Sequence, residues 1–274
     1  MKIKTFSIAN VKILLLVYVL VILWWFSIFL RDIHETTENY LFSLIYSVMP
    51  LGGGIIGFIN ARHWGGFASS IGRAVLFISG GIFAWGIGNL IFGYYNLILG
   101  VPIPYPSIAD AAFFLIYPFS AIGVISFFRV TGASFALRRV SGKLLLLLIP
   151  IFLIFLSYYL LFIVARGGII TYDGGLLKLF LDIVYPVGDV VVITFASILY
   201  SLSFKFLGGT FRKPIIFIII GFISTYIADF LFSYTTTVGT YFVGKWVDIF
   251  YPTAFLFIAL GLSLLSPEFL DQSD

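Results

Sequence analysis

Residues 175–203 read GLLKLFLDIVYPVGDVVVITFASILYSLS. At 1.5 Å of rise per residue this stretch is longer than the roughly 20 apolar residues that cross a bilayer. It is too long and too continuous for a strand of a membrane barrel, which alternates over about ten residues. Within it stand one cation, Lys178, and two acids, Asp182 and Asp189. The apolar run decides the fold class, and the acids are the first functional lead.

The rest of the chain repeats this reading. Of 274 residues, 61% are hydrophobic and 10% charged, with a mean hydropathy of +1.12. Soluble domains run near 45–50% apolar and about 25% charged, so a water-soluble enzyme is excluded. Eight segments are predicted as spanning helices: 11–30, 40–60, 73–95, 107–129, 143–165, 175–203, 213–236 and 245–266. The expected architecture is an all-α polytopic membrane bundle, one integral membrane domain over residues 1–274. With no cysteine, disulfides, thiolate nucleophiles and Cys-ligated metals are ruled out. The only histidines, His34 and His63, are too few and too distant for a bis-His haem or an all-protein zinc site. No metal, cofactor or nucleic-acid partner is expected.

Charge sets the expected orientation. Of the 16 cations, only Arg31, Arg166, Lys178 and Lys245 fall on one set of connections, and the other 12 fall on the alternate set. The positive-inside rule then predicts both termini in the cytoplasm of a prokaryotic plasma membrane. The first hydrophobic run follows lysines, as in a signal peptide, but it is long, contains Trp24-Trp25 and lacks a small-x-small cleavage site. It is read as an uncleaved span. Gly80, Ala84 and Gly88 in the third span, and Gly53 and Gly57 in the second, are spaced to let helix backbones approach closely. Pro118, Pro150, Pro186 and Pro252 lie inside spans and are expected to kink them.

An ionisable residue inside a span is costly, about 2.5–3.5 kcal/mol for a central Asp on insertion scales. Five of the 12 acids sit within or at the edge of spans: Asp110, Asp182, Asp189, Asp229 and Asp248. The predicted topology places nearly all of them, with Asn89, toward the outer leaflet, and no Lys or Arg is expected buried among them. Ser107-x-x-Asp110 has the form of a capping box. Lys178–Asp182 and Lys245–Asp248 have the spacing of local ion pairs. Asp189 and Asp229 have no local partner. For these two the sequence leaves open a ligand, ion or proton role, or a hydrogen bond between helices.

A pattern recurs around the acids. Leu115-Ile116-Tyr117-Pro118 is echoed by Ile183-Val184-Tyr185-Pro186 and Ile249-Phe250-Tyr251-Pro252, and Asp182 and Asp248 each precede their Tyr by three. Trp85-x3-Asn89-x4-Tyr94 parallels Thr225-x3-Asp229-x4-Tyr234. Parallel two-helix hairpin repeats are expected to produce this.

Several of these residues also carry a resemblance. Gly88-Asn89, Tyr94, Pro106-Ser107-Ile108-Ala109-Asp110 and Tyr117-Pro118 resemble part of an eight-helix membrane region. That region stands at the N-terminus of many bacterial diguanylate cyclases, cyclic-di-GMP phosphodiesterases and histidine kinases. Tyr185-Pro186-x-x-Asp189 looks like its second landmark. Ala228-Asp229 through Tyr234, Gly239-Thr240-Tyr241 and Gly244-Lys245-Trp246-x-Asp248 look like its third. The similarity covers roughly residues 80–265 and implies a sensory input module. No GGDEF, EAL or kinase domain follows the eighth helix, so the expectation is either a stand-alone relative acting through a separate partner or a truncated chain.

Catalytic signatures were weighed and none fits. Tyr172-Asp173 and Gly188-Asp189 superficially match an intramembrane aspartyl protease, but Pro186 replaces the first Gly and no Pro-Ala-Leu follows. Neither His lies within a predicted span, as a Ser–His dyad would need, and Gly52-Gly53-Gly54 has no following Lys to cradle phosphate. The expected site is therefore a binding cavity lined by Asn89, Asp110, Tyr117, Asp182, Tyr185, Asp189, Asp229, Asp248 and Tyr251. Small cations, amines or lipid head groups suit an acidic, Tyr-rich pocket, and a cytoplasmic or membrane partner would receive the signal. The alternatives are a proton- or cation-coupled secondary transporter and a structural subunit of a membrane assembly.

Overall fold

The computed structural model describes residues 2–131, 133–169, 175–203 and 211–267; Tyr172-Asp173 lies outside the described residues. The eight helical spans run Ala9–Leu30, Thr37–His63, Ser70–Ile98, Ile108–Phe128, Val140–Val164, Gly175–Leu202, Arg212–Thr237 and Trp246–Leu264, each long and apolar enough to cross a membrane. They comprise α1 (Lys2–Leu30), α2 (Thr37–Tyr46), α3 (Val48–His63), α4 (Ser70–Gly93), α5 (Ile108–Phe114), α6 (Ile116–Phe128), α7 (Ala133–Ala136), α8 (Val140–Ser157), α9 (Gly175–Ser203), α10 (Arg212–Thr237) and α11 (Phe250–Leu264). The third and fifth spans end in π-helical turns, Tyr94–Ile98 and Tyr158–Val164, and a 3-10 turn, Trp246–Ile249, opens the eighth.

Proline explains where spans are interrupted. A proline ring clashes with the carbonyl four residues earlier and donates no N–H to it. Pro118 therefore breaks the fourth span after Phe114, the boundary between α5 and α6. Pro50 acts likewise on Tyr46, where α2 ends, and Pro252 on Asp248, inside the 3-10 turn before α11. Pro186 and Pro150 are carried within continuous α9 and α8.

Helices α3, α4, α6, α9, α10 and α11 pack in sequence into a closed ring, with α1 outside on α11 and α8 outside on α9. Burial follows that arrangement: 72% of the eighth span is buried, against 17% of the first and 11% of the fifth. Lipid tails are as apolar as Leu, so close backbone approach and dispersion hold such helices together. A β-carbon added at Gly53 would meet Cβ of Ala259 at 2.5 Å, and one at Gly57 would lie 2.9 Å from Cβ of Ser79. The antiparallel pairs α4–α6 and α10–α11 mate alike. Gly123 faces Ile78 and the Ala74 carbonyl, while Gly261 faces Ile218 and the Pro214 carbonyl. Gly80 and Gly88 receive Phe119 and Phe113. Around these contacts Ile78, Phe127, Ile215, Ile218, Ile258 and Leu262 are fully buried, so this half of the bundle is dry and tightly filled.

The other half carries the connections 31–36, 99–107 and 238–245. Asn39, fully buried, joins two of them by donating to the Ile33 carbonyl at 2.9 Å and the Val243 carbonyl at 2.8 Å.

Candidate functional site

Between the ring helices, in the half that bears those connections, lies a cavity of about 690 Å³. Eight of the nine expected residues line it: Asn89, Asp110, Tyr117, Asp182, Tyr185, Asp189, Asp229 and Tyr251. The ninth, Asp248, does not. It is buried behind Tyr241, whose hydroxyl donates to it at 3.0 Å, and it also accepts the Gly244 N–H at 2.6 Å. The spacing that suggested a Lys245–Asp248 pair is not used, because the Lys245 ammonium donates instead to the Thr240 carbonyl. Asp248 thus closes the turn 240–248, and that task draws it away from the cavity.

The deepest feature is a carboxyl pair. Asp189 on α9 and Asp229 on α10 lie within hydrogen-bonding reach of one another. Tyr251 donates to Asp229 at 2.9 Å, and Tyr117 reaches Asp189. The Tyr117 ring can lie across α9 only because residue 188 is Gly: a β-carbon there would sit 2.6 and 2.8 Å from the two Cδ atoms of the ring. Tyr185 donates to Asp110 at 2.8 Å, and the second oxygen of Asp110 accepts the N–H and hydroxyl of Ser107 at 2.6 and 3.0 Å. The expected capping box therefore exists, and its acid is bound from the cavity side as well. Each tyrosine of the three Tyr-Pro steps is matched with a different aspartate, always across helices.

Asn89 holds the opposite wall. Its amide donates to the Ser43 carbonyl at 2.6 Å and to Ser47 Oγ at 2.7 Å. These groups lie at the end of α2, where the Ser47 N–H bonds Leu44 rather than Ser43, so Asn89 supplies the Ser43 carbonyl with a donor. Trp85 stacks on Tyr251 with ring centroids 5.4 Å apart and an interplanar angle of 29°, and packs in tilted contact with Tyr46 and Phe113. One wall of the cavity is thus aromatic.

The mouth corrects the expectation that no cation accompanies the acids. Arg166 and Lys178 both line the cavity. Lys178 reaches the Asp182 carboxylate at 3.4 Å, Arg166 reaches it at 3.9 Å, and Arg166 also donates to the Asp182 carbonyl at 2.7 Å. Tyr105, from the 99–107 connection, donates to the same carboxylate at 3.0 Å. Burial, with the negative charge of Asp182 beside it, pushes the Tyr105 phenol above its ordinary pKa. The Lys178–Asp182 pair was legible from its spacing; Arg166 was not, because sequence places it only on a connection. Four aspartates against two cations leave the lining two charges negative when all six are ionised. Such a cavity can hold a monocation against the carboxyl pair, with aromatic faces for its apolar part.

Of the five residues besides Asp229 in the paired motifs of the third and seventh spans, Trp85, Asn89 and Thr225 also line this cavity, whereas Tyr94 and Tyr234 are exposed. Among the described residues no group of three or more His, Cys, Asp or Glu is arranged to hold a metal ion. No protein-family model, no curated protein and no solved structure matches this chain.

Proposed function

We propose that this integral membrane protein binds a small monocationic or amine-bearing molecule in the aromatic-walled cavity and passes its occupancy to a separate partner. The observation that carries the reading is the convergence of Asp189, Asp229 and three tyrosines on one 690 Å³ space. Two carboxyls in contact have a use for exactly the kind of group that the cavity lacks at its floor: a positive charge with protons to donate. Such a ligand is either an amine or the cationic head group of a lipid. In this reading both termini face the cytoplasm of a prokaryotic plasma membrane, the cavity opens outward, and the module is sensory, as its sequence resemblance implies.

The second reading is a proton- or cation-coupled transporter, favoured by the same carboxyl contact, since a pair that shares a proton can exchange it for a cation. The dry, glycine-mated half of the bundle argues for binding, because transport needs a path through it. A purely structural role for the acids is the third.

The test is thermal unfolding of the purified, detergent-solubilised chain with phenethylamine, tetraethylammonium and phosphocholine lipid as probes. Intrinsic fluorescence would follow Trp85. A ligand at 100 times its Kd adds about 2.7 kcal/mol of stability. The wild type should gain stability with at least one probe, and Asp189→Asn and Asp229→Asn should lose that gain while remaining folded. If no probe shifts the wild type and both variants unfold at the wild-type temperature, the binding reading is wrong. If both variants are destabilised with no probe present and the wild type responds to none, the acids are structural bridges.

A further inference from the structure

Beneath the carboxyl pair, toward the dry half, lies a second void of about 20 Å³. Its oxygen-bearing walls are Tyr117, Ser120, Asp189, Thr225 and Tyr226, and the rest of its lining is apolar. We infer that this void is a sodium site, with the Asp189 carboxylate and the hydroxyls of Ser120, Thr225 and Tyr226 as its ligands. This goes beyond the amine-binding reading and does not depend on it.

The argument starts from Ser120. It is fully buried on α6 and its hydroxyl has no hydrogen-bond partner among the described residues. Other helical hydroxyls in this chain turn back onto the carbonyl four residues earlier: Ser79 to Val75, Ser126 to Ile122, Thr225 to Gly221, Thr253 to Ile249 and Ser263 to Ala259. Ser120 does not, although the same bond is available to any serine in a helix; the buried Thr194 hydroxyl on α9 also goes without one but lies away from the void. A buried polar group left unmatched is unfavourable, and Ser120 lines the void. The neighbouring hydroxyls are already committed as donors or exchange a proton elsewhere. Thr225 donates to Gly221 at 3.0 Å, and Tyr226 shares a hydrogen bond with Ser157 at 2.8 Å. Thr225 therefore turns lone pairs toward the void, and Tyr226 does the same when it donates to Ser157, an arrangement that suits a cation.

Size and charge select the ion. The void has room for about one water-sized occupant, and its oxygen ligands are hard donors. Asp189 is its only charged group, with no Lys or Arg in the lining, so a single positive charge balances it. Sodium fits these conditions, whereas caesium is too large. Asp189 and Tyr117 line both this void and the larger cavity. Sodium occupancy and cavity occupancy are then coupled, each altering the other's affinity by the same factor.

The experiment is a melting-temperature titration of the full detergent-solubilised chain with NaCl, at ionic strength held constant with CsCl and with no amine present. Sodium should raise the melting temperature saturably. Ser120→Ala should raise the half-saturating sodium concentration about tenfold, the loss of roughly one ligand, and Asp189→Asn should abolish the response. Ser120→Cys keeps the side-chain volume and replaces a hard donor with a poor one, so it should also weaken the response if Ser120→Ala fails to fold. Equal melting temperatures in NaCl and CsCl would overturn the site, leaving a water as the occupant. So would a wild-type sodium response in a folded Ser120 variant. Because Ser120 lines only the smaller void, its variants should keep the wild-type phenethylamine response when both are measured in CsCl without sodium, which separates failure here from failure of the amine reading.

Discussion

Gly188→Ala is the smallest change that tests the cavity's geometry. The added methyl would lie 2.6 and 2.8 Å from the Cδ atoms of Tyr117 and closer still to its Cγ. Real β-carbons do not approach other atoms that closely, so the ring or α9 must move. Tyr117 has little freedom to yield: it is 9% exposed and packs edge-on to Tyr185 with centroids 6.0 Å apart. Overpacking of this kind typically costs about 1–3 kcal/mol. It would also move the phenol away from Asp189, which lies beside it. The same substitution at Gly52, where a β-carbon meets nothing within 4 Å, is the control. It should be neutral or stabilising by a few tenths of a kcal/mol to about 1 kcal/mol, because Ala is the better helix former. Thermal unfolding of both variants should therefore differ in sign, and phenethylamine affinity should fall about tenfold or more in Gly188→Ala alone. A double-mutant cycle isolates the cause: in a Tyr117→Ala background, Gly188→Ala should cost almost nothing. If Gly188→Ala costs as much with Tyr117 removed as with it present, the ring-over-glycine arrangement is wrong.

Three further outcomes are expected. Asn89→Leu keeps the volume but leaves the Ser43 carbonyl and Ser47 hydroxyl only their long 3.5 Å bond to each other, so the melting temperature should drop by the equivalent of about 1–3 kcal/mol; an unchanged melting curve would deny Asn89 its bridging role. Gly57→Ala should be at least as damaging as an ordinary overpacked core site, about 1–3 kcal/mol. Its β-carbon would meet Ser79 at 2.9 Å and Leu262 at 3.1 Å between three helices. The alkaline limb of stability should depend on Tyr241, whose pKa is pushed up by burial and then by the charge of Asp248. A phenol with a raised folded-state pKa contributes stability that is complete below its unfolded value, near 10, and is lost as pH rises through the folded value. Tyr241→Phe should flatten the loss of stability above about pH 10, and ultraviolet titration should show one fewer late-ionising phenol; an identical alkaline limb in wild type and variant would count against the buried Tyr241–Asp248 bond.

The spans were legible because each is a continuous apolar run, and a residue or three at either end is all that the connections obscure. Glycine spacing marked α3 and α4 as close-packing faces, and Gly53, Gly57, Gly80 and Gly88 do meet neighbouring helices. Asp189 and Asp229 stood out because no residue at helical spacing relieves either one. Their mutual contact was hidden, since it depends on α9 lying beside α10 at matched depth, which no local pattern encodes. Arg166 and Tyr105 were hidden for the same reason: each lies on a connection and reaches Asp182 only through the folded bundle. Asp248 misled for the opposite reason. Its place before Tyr251-Pro252 equals that of Asp182 before Tyr185-Pro186, yet Pro252 interrupts the helix at that point while Pro186 does not. The interrupted turn exposes the Gly244 N–H, and Asp248 is consumed in capping it.

The Tyr-Pro steps thereby acquire a physical reading that their sequence similarity alone does not supply. Proline strips the hydrogen bond from a carbonyl one turn earlier, and the adjacent tyrosine supplies a rigid ring with a donor at its tip. On the fourth, sixth and eighth spans the three rings lean across the ring of helices: Tyr185 donates to Asp110, Tyr251 donates to Asp229, and Tyr117 lies beside Asp189. A hydroxyl offers a carboxyl one hydrogen bond and no charge, unlike the Lys178 and Arg166 that meet Asp182 at the mouth. The acids at depth are thus held in place without a cationic partner. Replacing Tyr251 with Phe tests that distinction, because it removes one donor from Asp229 and leaves the Trp85 stack intact. If the tyrosines only hold the bundle together, the variant should lose about 1 kcal/mol of stability and no amine affinity; if they keep charged groups poised for a cation, affinity should change as well.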